Sequence, residues 1–191
     1  DGARSLCLAT DGNLMVTGLS YSADGDVTDT HGGSDVWVLR LNPNGDLLWE
    51  QTFGGSGNEA GFSVVQRADN DFILAGETNS FDGDVQGYHD GTDAWVIKFD
   101  KNGVLKEQIC LGGSNNDFAR SVTVGMDNSV LVGGTSSSFD GDVTSNHGAS
   151  DAWVVKLSVP LGLKPETPHE VHTTLTITPN PASKALQIST N

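Results

Sequence analysis

Three stretches of the chain carry the residues best suited to chemistry, each in the same order. Asp24, Asp26 and Asp35 occupy positions one, three and twelve of a twelve-residue segment. Asp82, Asp84 and Asp93 repeat the pattern, and Asp140, Asp142 and Asp151 repeat it again. Carboxylates at this spacing suit a divalent cation with oxygen ligands, calcium above all. The glycine an EF-hand requires at position six is met only by Gly87, and position twelve is Asp where that loop uses a bidentate Glu. An EF-hand is thereby excluded. Two readings remain: a looser oxygen cage for calcium, or Asp-Gly turns and Asx caps that fix a long loop.

His31, His89 and His147 each precede one of these aspartates by four residues, and precede Trp37, Trp95 and Trp153 by six. Three equivalent imidazoles could line a shared metal or catalytic centre. The stronger expectation is that each bonds a carboxylate or backbone group and locks its own loop, because a feature present once per copy serves the copy. Elsewhere the chemistry is thin. His169-Glu170-Val171-His172 lacks the i, i+4 spacing of a zinc-binding helix. No G-x-S-x-G, phosphate loop or CxxC occurs, and no unrepeated pair of carboxylates stands out as acid and base. Nothing here argues for an enzyme.

What must position these residues is a repeat. The segments starting at Asp24, Asp82 and Asp140 read DGDVTDTHGGSDVWVLRL, DGDVQGYHDGTDAWVIKF and DGDVTSNHGASDAWVVKL, each 58 residues after the last. The register extends through Gly18, Gly76 and Gly134, and through Gly54-Gly55-Ser56 and Gly112-Gly113-Ser114. Copies at 1–58, 59–116 and 117–157 follow, the third lacking its last strand. In the second copy the pattern predicts strands at about 60–66, 71–77, 94–99 and 104–111. The second is apolar on both faces, the third sets Trp95, Ile97 and Phe99 on one face, and the fourth mixes charge with apolar residues as an outer strand would. Asp- and Asn-rich turns separate them. Four antiparallel strands in such a length is the size of a propeller blade, so an all-β, propeller-like array is expected. The repeated glycines should mark close approach of neighbouring backbones.

Composition agrees. Glycine is abundant at 24 residues, and 36% of the chain is hydrophobic, which suits short strands and tight turns and not a disordered chain. No run approaches the roughly 20 apolar residues needed to span a bilayer. The net charge of −15 repels phosphate backbones and makes nucleic acid a poor partner. Cys7 and Cys110 fall at non-equivalent places in different copies, so two buried free thiols are expected in place of a disulfide. With Asp1 as its first residue, the chain reads as a processed or partial one.

The pattern D-x-W-V-x-K-L, then N-G, then G-G-S-x-x-[DE], resembles the β-propeller repeats of secreted bacterial proteins, especially Bacteroidetes-type copies with a DGDV-x3-H segment. It departs where Glu107 replaces the first copy's Trp49. The His–Asp–Trp pattern is likewise similar in residue types to the loop networks of WD40 blades. Residues 158–172 read as a linker rich in Pro and charge. Beyond it, Pro179-Asn180-Pro181-Ala182 sits between two short β runs and resembles the opening of a C-terminal sorting domain of type IX secretion cargo. Residues 173–191 are shorter than that domain, as in a truncated copy.

These resemblances imply a secreted or surface protein carried across the outer membrane, with the type IX translocation and attachment machinery as partner. The expected role is non-catalytic: binding of an extracellular protein or glycan, adhesion or scaffolding. The alternative is a portion of a secreted glycan-acting enzyme whose catalytic residues lie elsewhere.

Overall fold

The structure is a computed structural model and describes residues 1–157. The linker and residues 173–191, with the sorting motif, lie outside the described residues.

Apolar and β-branched residues alternating between Asp/Asn/Gly turns make eleven strands, and the described residues contain no helix. The first sheet runs β1 (Gly2–Leu8), β2 (Leu14–Ser20), β3 (Asp35–Leu41), β4 (Leu47–Phe53). The second runs β5 (Glu59–Gln66), β6 (Phe72–Thr78), β7 (Asp93–Phe99), β8 (Leu105–Leu111). The third has β9 (Asp117–Val124), β10 (Val130–Ser136) and β11 (Asp151–Leu157). All neighbours are antiparallel, so each sheet is a meander of one repeat.

The strand limits expected in the second copy hold to within a residue, and the turn chemistry explains the differences. Asp71 stays in the β5–β6 turn, where its N–H donates to Asp69 Oδ1 (3.1 Å) and its carbonyl accepts from Arg67 N–H (2.8 Å). Asp11 and Asp127 cap the equivalent turns through Asn13 and Ser129. The residue after each Asp is left-handed: Gly12 at φ 84°, Asn70 at 68° and Asn128 at 64°, the residue types that tolerate it.

The core forms two layers. Met15, Val36, Val38 and Phe53 of the first sheet meet Val64, Leu74, Trp95 and Ile97 of the second. The reverse face of the second sheet, Ile73, Ala75 and Val96, meets Val122, Val132, Trp153 and Val155 of the third. β7 is therefore buried along its whole length, like nearly all of β6. The outer strand β8 is only partly exposed, since Cys110 and Leu111 turn inward at its end.

Each sheet's first strand is bulged, leaving an extra residue at Arg4, Phe62 and Arg120. These side chains meet along the edge formed by β1, β5 and β9: Arg4 lies 4.9 Å and Arg120 4.1 Å from the Phe62 ring centre. The repeated glycines serve the same bulges. A Cβ on Gly76 would stand 2.2 Å from the Ala60 carbonyl oxygen, so the close approach is to the first strand of its own sheet, not to a neighbouring sheet.

Candidate functional site

Antiparallel order puts the β2–β3, β6–β7 and β10–β11 loops and the β4–β5 and β8–β9 corners at one end of the sheets, and the β1–β2, β3–β4, β5–β6, β7–β8 and β9–β10 turns at the opposite end. The repeated Asp, His and Gly-Gly-Ser residues all belong to the first end.

There the Asp-Gly-Asp loop of one copy grips the Gly-Gly-Ser corner of the copy before it. Ser56 N–H donates to Asp82 Oδ1 (2.7 Å), and Gly54 N–H donates to Asp84 Oδ2 (3.2 Å). Asp84 N–H returns a bond to the Gly54 carbonyl (2.9 Å). The next junction repeats the arrangement, with Ser114 on Asp140 (2.8 Å) and Gly112 on Asp142 (3.2 Å). These N–H bonds hold the Asp82 and Asp140 carboxyls below the usual range. Gly83 and Gly141, both at φ 65°, let the loop backbone lie against the corner; a Cβ there would stand 2.4 and 2.3 Å from a carbonyl oxygen.

A third acid completes each latch, and sequence reasoning did not single it out. Glu59, buried, accepts from Gly55 N–H (2.8 Å) across the junction and from Thr78 (2.8 Å) and Ser80 (2.6 Å) hydroxyls in its own sheet. Asp117 does the same with Gly113 (2.8 Å) and Ser138 (2.7 Å). Asp1 holds the equivalent place and bonds Ser20 (2.8 Å) and Ser22 (2.7 Å). The signal lay in the acid that closes each G-G-S-x-x-[DE] run.

The position-twelve aspartates sit apart from the Asp-Gly-Asp carboxylates. Asp35 and Asp93 are buried at the start of β3 and β7, and Asp151 is half-buried at the start of β11. Each accepts the N–H of its histidine: His31 at 2.9 Å, His89 at 2.8 Å, and His147. The imidazole Nδ1 atoms also face them, at 3.4, 3.0 and 3.5 Å. Each histidine thus closes its own loop onto its own strand, and His31 Nε2 also comes within 4.0 Å of Asp84 Oδ2 across the first junction. Burial drives the Asp93 carboxyl up to about 6, against the pull of His89 and with a further push from Asp117. Burial likewise raises Glu59, offset in part by its hydrogen bonds.

The one-three-twelve spacing therefore splits into two functions, latch and loop lock. Among the described residues no three His, Cys, Asp or Glu side chains converge as a metal centre would require. The carboxylates of Asp24 and Asp26, in the first copy, receive no N–H from the described residues, although the Asp24 carbonyl accepts from Val27 N–H (3.3 Å).

The tryptophans extend the repeat. Trp37 Nε1–H donates to Glu50 (3.0 Å) and Trp95 Nε1–H to Gln108 (2.8 Å), equivalent residues of β4 and β8. Trp95 and Trp153 are buried, whereas Trp37 is half-buried. Cys110 is buried and Cys7 only half-buried, neither in a disulfide; burial raises both thiols.

The loop end also bears large side chains standing in water. Phe81 and Phe139, one repeat apart and each just before an Asp-Gly-Asp, are 75% and 65% exposed, and Tyr21 in the first copy is 66% exposed. At the opposite end a polar cleft of about 440 Å³ lies among Thr10, Asp11, Asn70, Asp71, Lys101 and Lys106. Its acids are engaged, Asp71 by Lys106 (2.6 Å) and Asp11 by Arg40.

No protein-family model matches the sequence. The chain is similar to a Caulobacter vibrioides protein named regulatory protein FlaEY, at 30% identity over 166 residues. The match covers 79% of this chain but 17% of that relative, so the chain spans under a fifth of the relative's length.

Proposed function

We propose that the three sheets are blades of a β-propeller-like array in an exported protein, and that their loop end binds an extracellular ligand without catalysis. The carrying observation is the exposed aromatic set, Tyr21, Phe81 and Phe139, beside acidic Asp-Gly-Asp loops at one end of the array. A ring left in water beside hydrogen-bond acceptors suits a hydroxyl-rich surface such as a glycan: sugar C–H faces stack on the ring, and hydroxyls donate to carboxylates. The bulged first strands, whose Arg4, Phe62 and Arg120 meet at one edge, support the radial arrangement.

Replacing Tyr21, Phe81 and Phe139 together by Ala should abolish binding on a glycan array and leave the melting temperature unchanged, since these side chains bury little. Wild-type binding by that triple variant would refute the reading. Export by the type IX machinery belongs to the same proposal and rests on Pro179, Asn180, Pro181 and Ala182. A full-length version of the tail, fused to a reporter, should then direct secretion in a host possessing that system. A folded reporter retained in the periplasm would refute it.

A further inference from the structure

The first sheet turns to solvent the same face that the second and third sheets bury. Leu6 corresponds to Val64 and Val122 by the repeat; it is 64% exposed where they are 5% and 7%. Trp37, Leu39 and Leu41 are half-buried, while Trp95, Ile97 and Phe99 of the second sheet are wholly buried beneath the first. Each covered face is also pinned by the preceding copy's Gly-Gly-Ser corner.

On its outward face the first copy has the receiving groups of that latch, and among the described residues no preceding corner donates to them. Asp24 and Asp26 stand exposed, where Asp82 and Asp84 hold Ser56 and Gly54. Asp1 accepts from the Ser20 and Ser22 hydroxyls, as Glu59 does from Thr78 and Ser80, and from the Tyr21 N–H of its own copy (3.0 Å) in place of the cross-junction N–H that Gly55 provides to Glu59. An exposed apolar face and two unfilled carboxylates, Asp24 and Asp26, therefore share one sheet with Asp1 in the place of Glu59, and both internal junctions show what fills such a set.

We infer that the outer face of the first sheet is a docking surface for a further four-stranded sheet of this repeat type, carrying a free Gly-Gly-Ser corner. Its first glycine N–H meets Asp26, its second meets Asp1 and its serine N–H meets Asp24. A second copy of this chain does not supply that occupant. Both of its Gly-Gly-Ser corners are engaged internally, and among the described residues its third sheet has no fourth strand to end in one. The inference stands on the repeat geometry and is independent of export and of the aromatic loop end.

The test is a chain in which a duplicate of residues 59–116 is placed directly before Asp1, which restores the 58-residue period and the G-G-S-x-x-D run. Amide exchange across β1 should slow by an order of magnitude or more. Leu6→Asp and Asp24→Ala, both without effect on the melting temperature of the unextended chain, should each lower it in the extended one. Unchanged β1 exchange, or neutrality of both substitutions in the extended chain, overturns the inference. Failure of the extended chain to fold cooperatively also counts against it, because the added sheet is identical to one that already folds at an internal position. Dimerisation of the unextended chain that Leu6→Asp abolishes would assign the face to a second copy and overturn it equally.

Discussion

Replacing Asp93 by Asn should make the protein more stable at neutral pH, an unusual result for loss of a buried acid. Asp93 is wholly buried at the start of β7, with Oδ2 taken by His89 and Oδ1 without a hydrogen-bond partner among the described residues. Burial, more than any neighbour, lifts its carboxyl from 3.8 to about 6. The folded chain therefore holds this proton more tightly than the unfolded chain does. The associated stability is complete below the unfolded value near 3.8 and is lost as pH rises through about 6. A gap of roughly two pH units corresponds to about 3 kcal/mol, a ceiling if water reaches the site on partial opening. Asn mimics the protonated acid: its oxygen still accepts from His89, and it never carries the buried charge. Urea denaturation at fixed ionic strength should show Asp93→Asn close to wild type at pH 4 and about 1–3 kcal/mol more stable at pH 7.5. An equal loss at both pH values would refute the reasoning and make Asp93 an ionised partner that His89 requires.

Gly76→Ala should cost about 1–3 kcal/mol or more, because the new Cβ meets the Ala60 carbonyl oxygen at 2.2 Å, while Gly133→Ala, with nothing nearby, should be tolerated. Equal melting temperatures for the two variants would contradict the close packing at the bulge. Trp95→Phe leaves Gln108 without its buried donor and should lose about 1–3 kcal/mol, more than Trp37→Phe, whose partner Glu50 is nearer water. In the native protein a thiol reagent should modify half-buried Cys7 first and Cys110 only as the chain opens, since burial raises the Cys110 thiol most strongly. Modification of Cys110 first would show that β8 does not shield it.

The period, the strands and the turns could be read from the amino-acid pattern, because these are local. Alternation along AWVIKF decides which side chains share a face, and an Asp followed by Gly or Asn decides where a turn reverses the chain. Hence the strand limits around Phe72–Thr78 and Asp93–Phe99 were legible to within a residue. That each histidine locks its own loop was legible for the same reason, whereas the partner it bonds, the aspartate four residues on, is shown by the structure.

Tertiary structure alone decided which carboxylate meets which amide across a junction. Asp82 and Ser56 are 26 residues apart and belong to different copies; no periodicity joins them until two sheets stack. The one-three-twelve spacing looked like a single site because distance along the chain says nothing about where an extended loop turns. In three dimensions Asp84 faces the preceding corner, and Asp93 is buried at the start of β7 against His89. The glycine contacts and the meeting of Arg4, Phe62 and Arg120 were hidden likewise. A bulge inserts one residue and reverses the facing of what precedes it, which depends on the partner strand's register and not on the strand's own pattern.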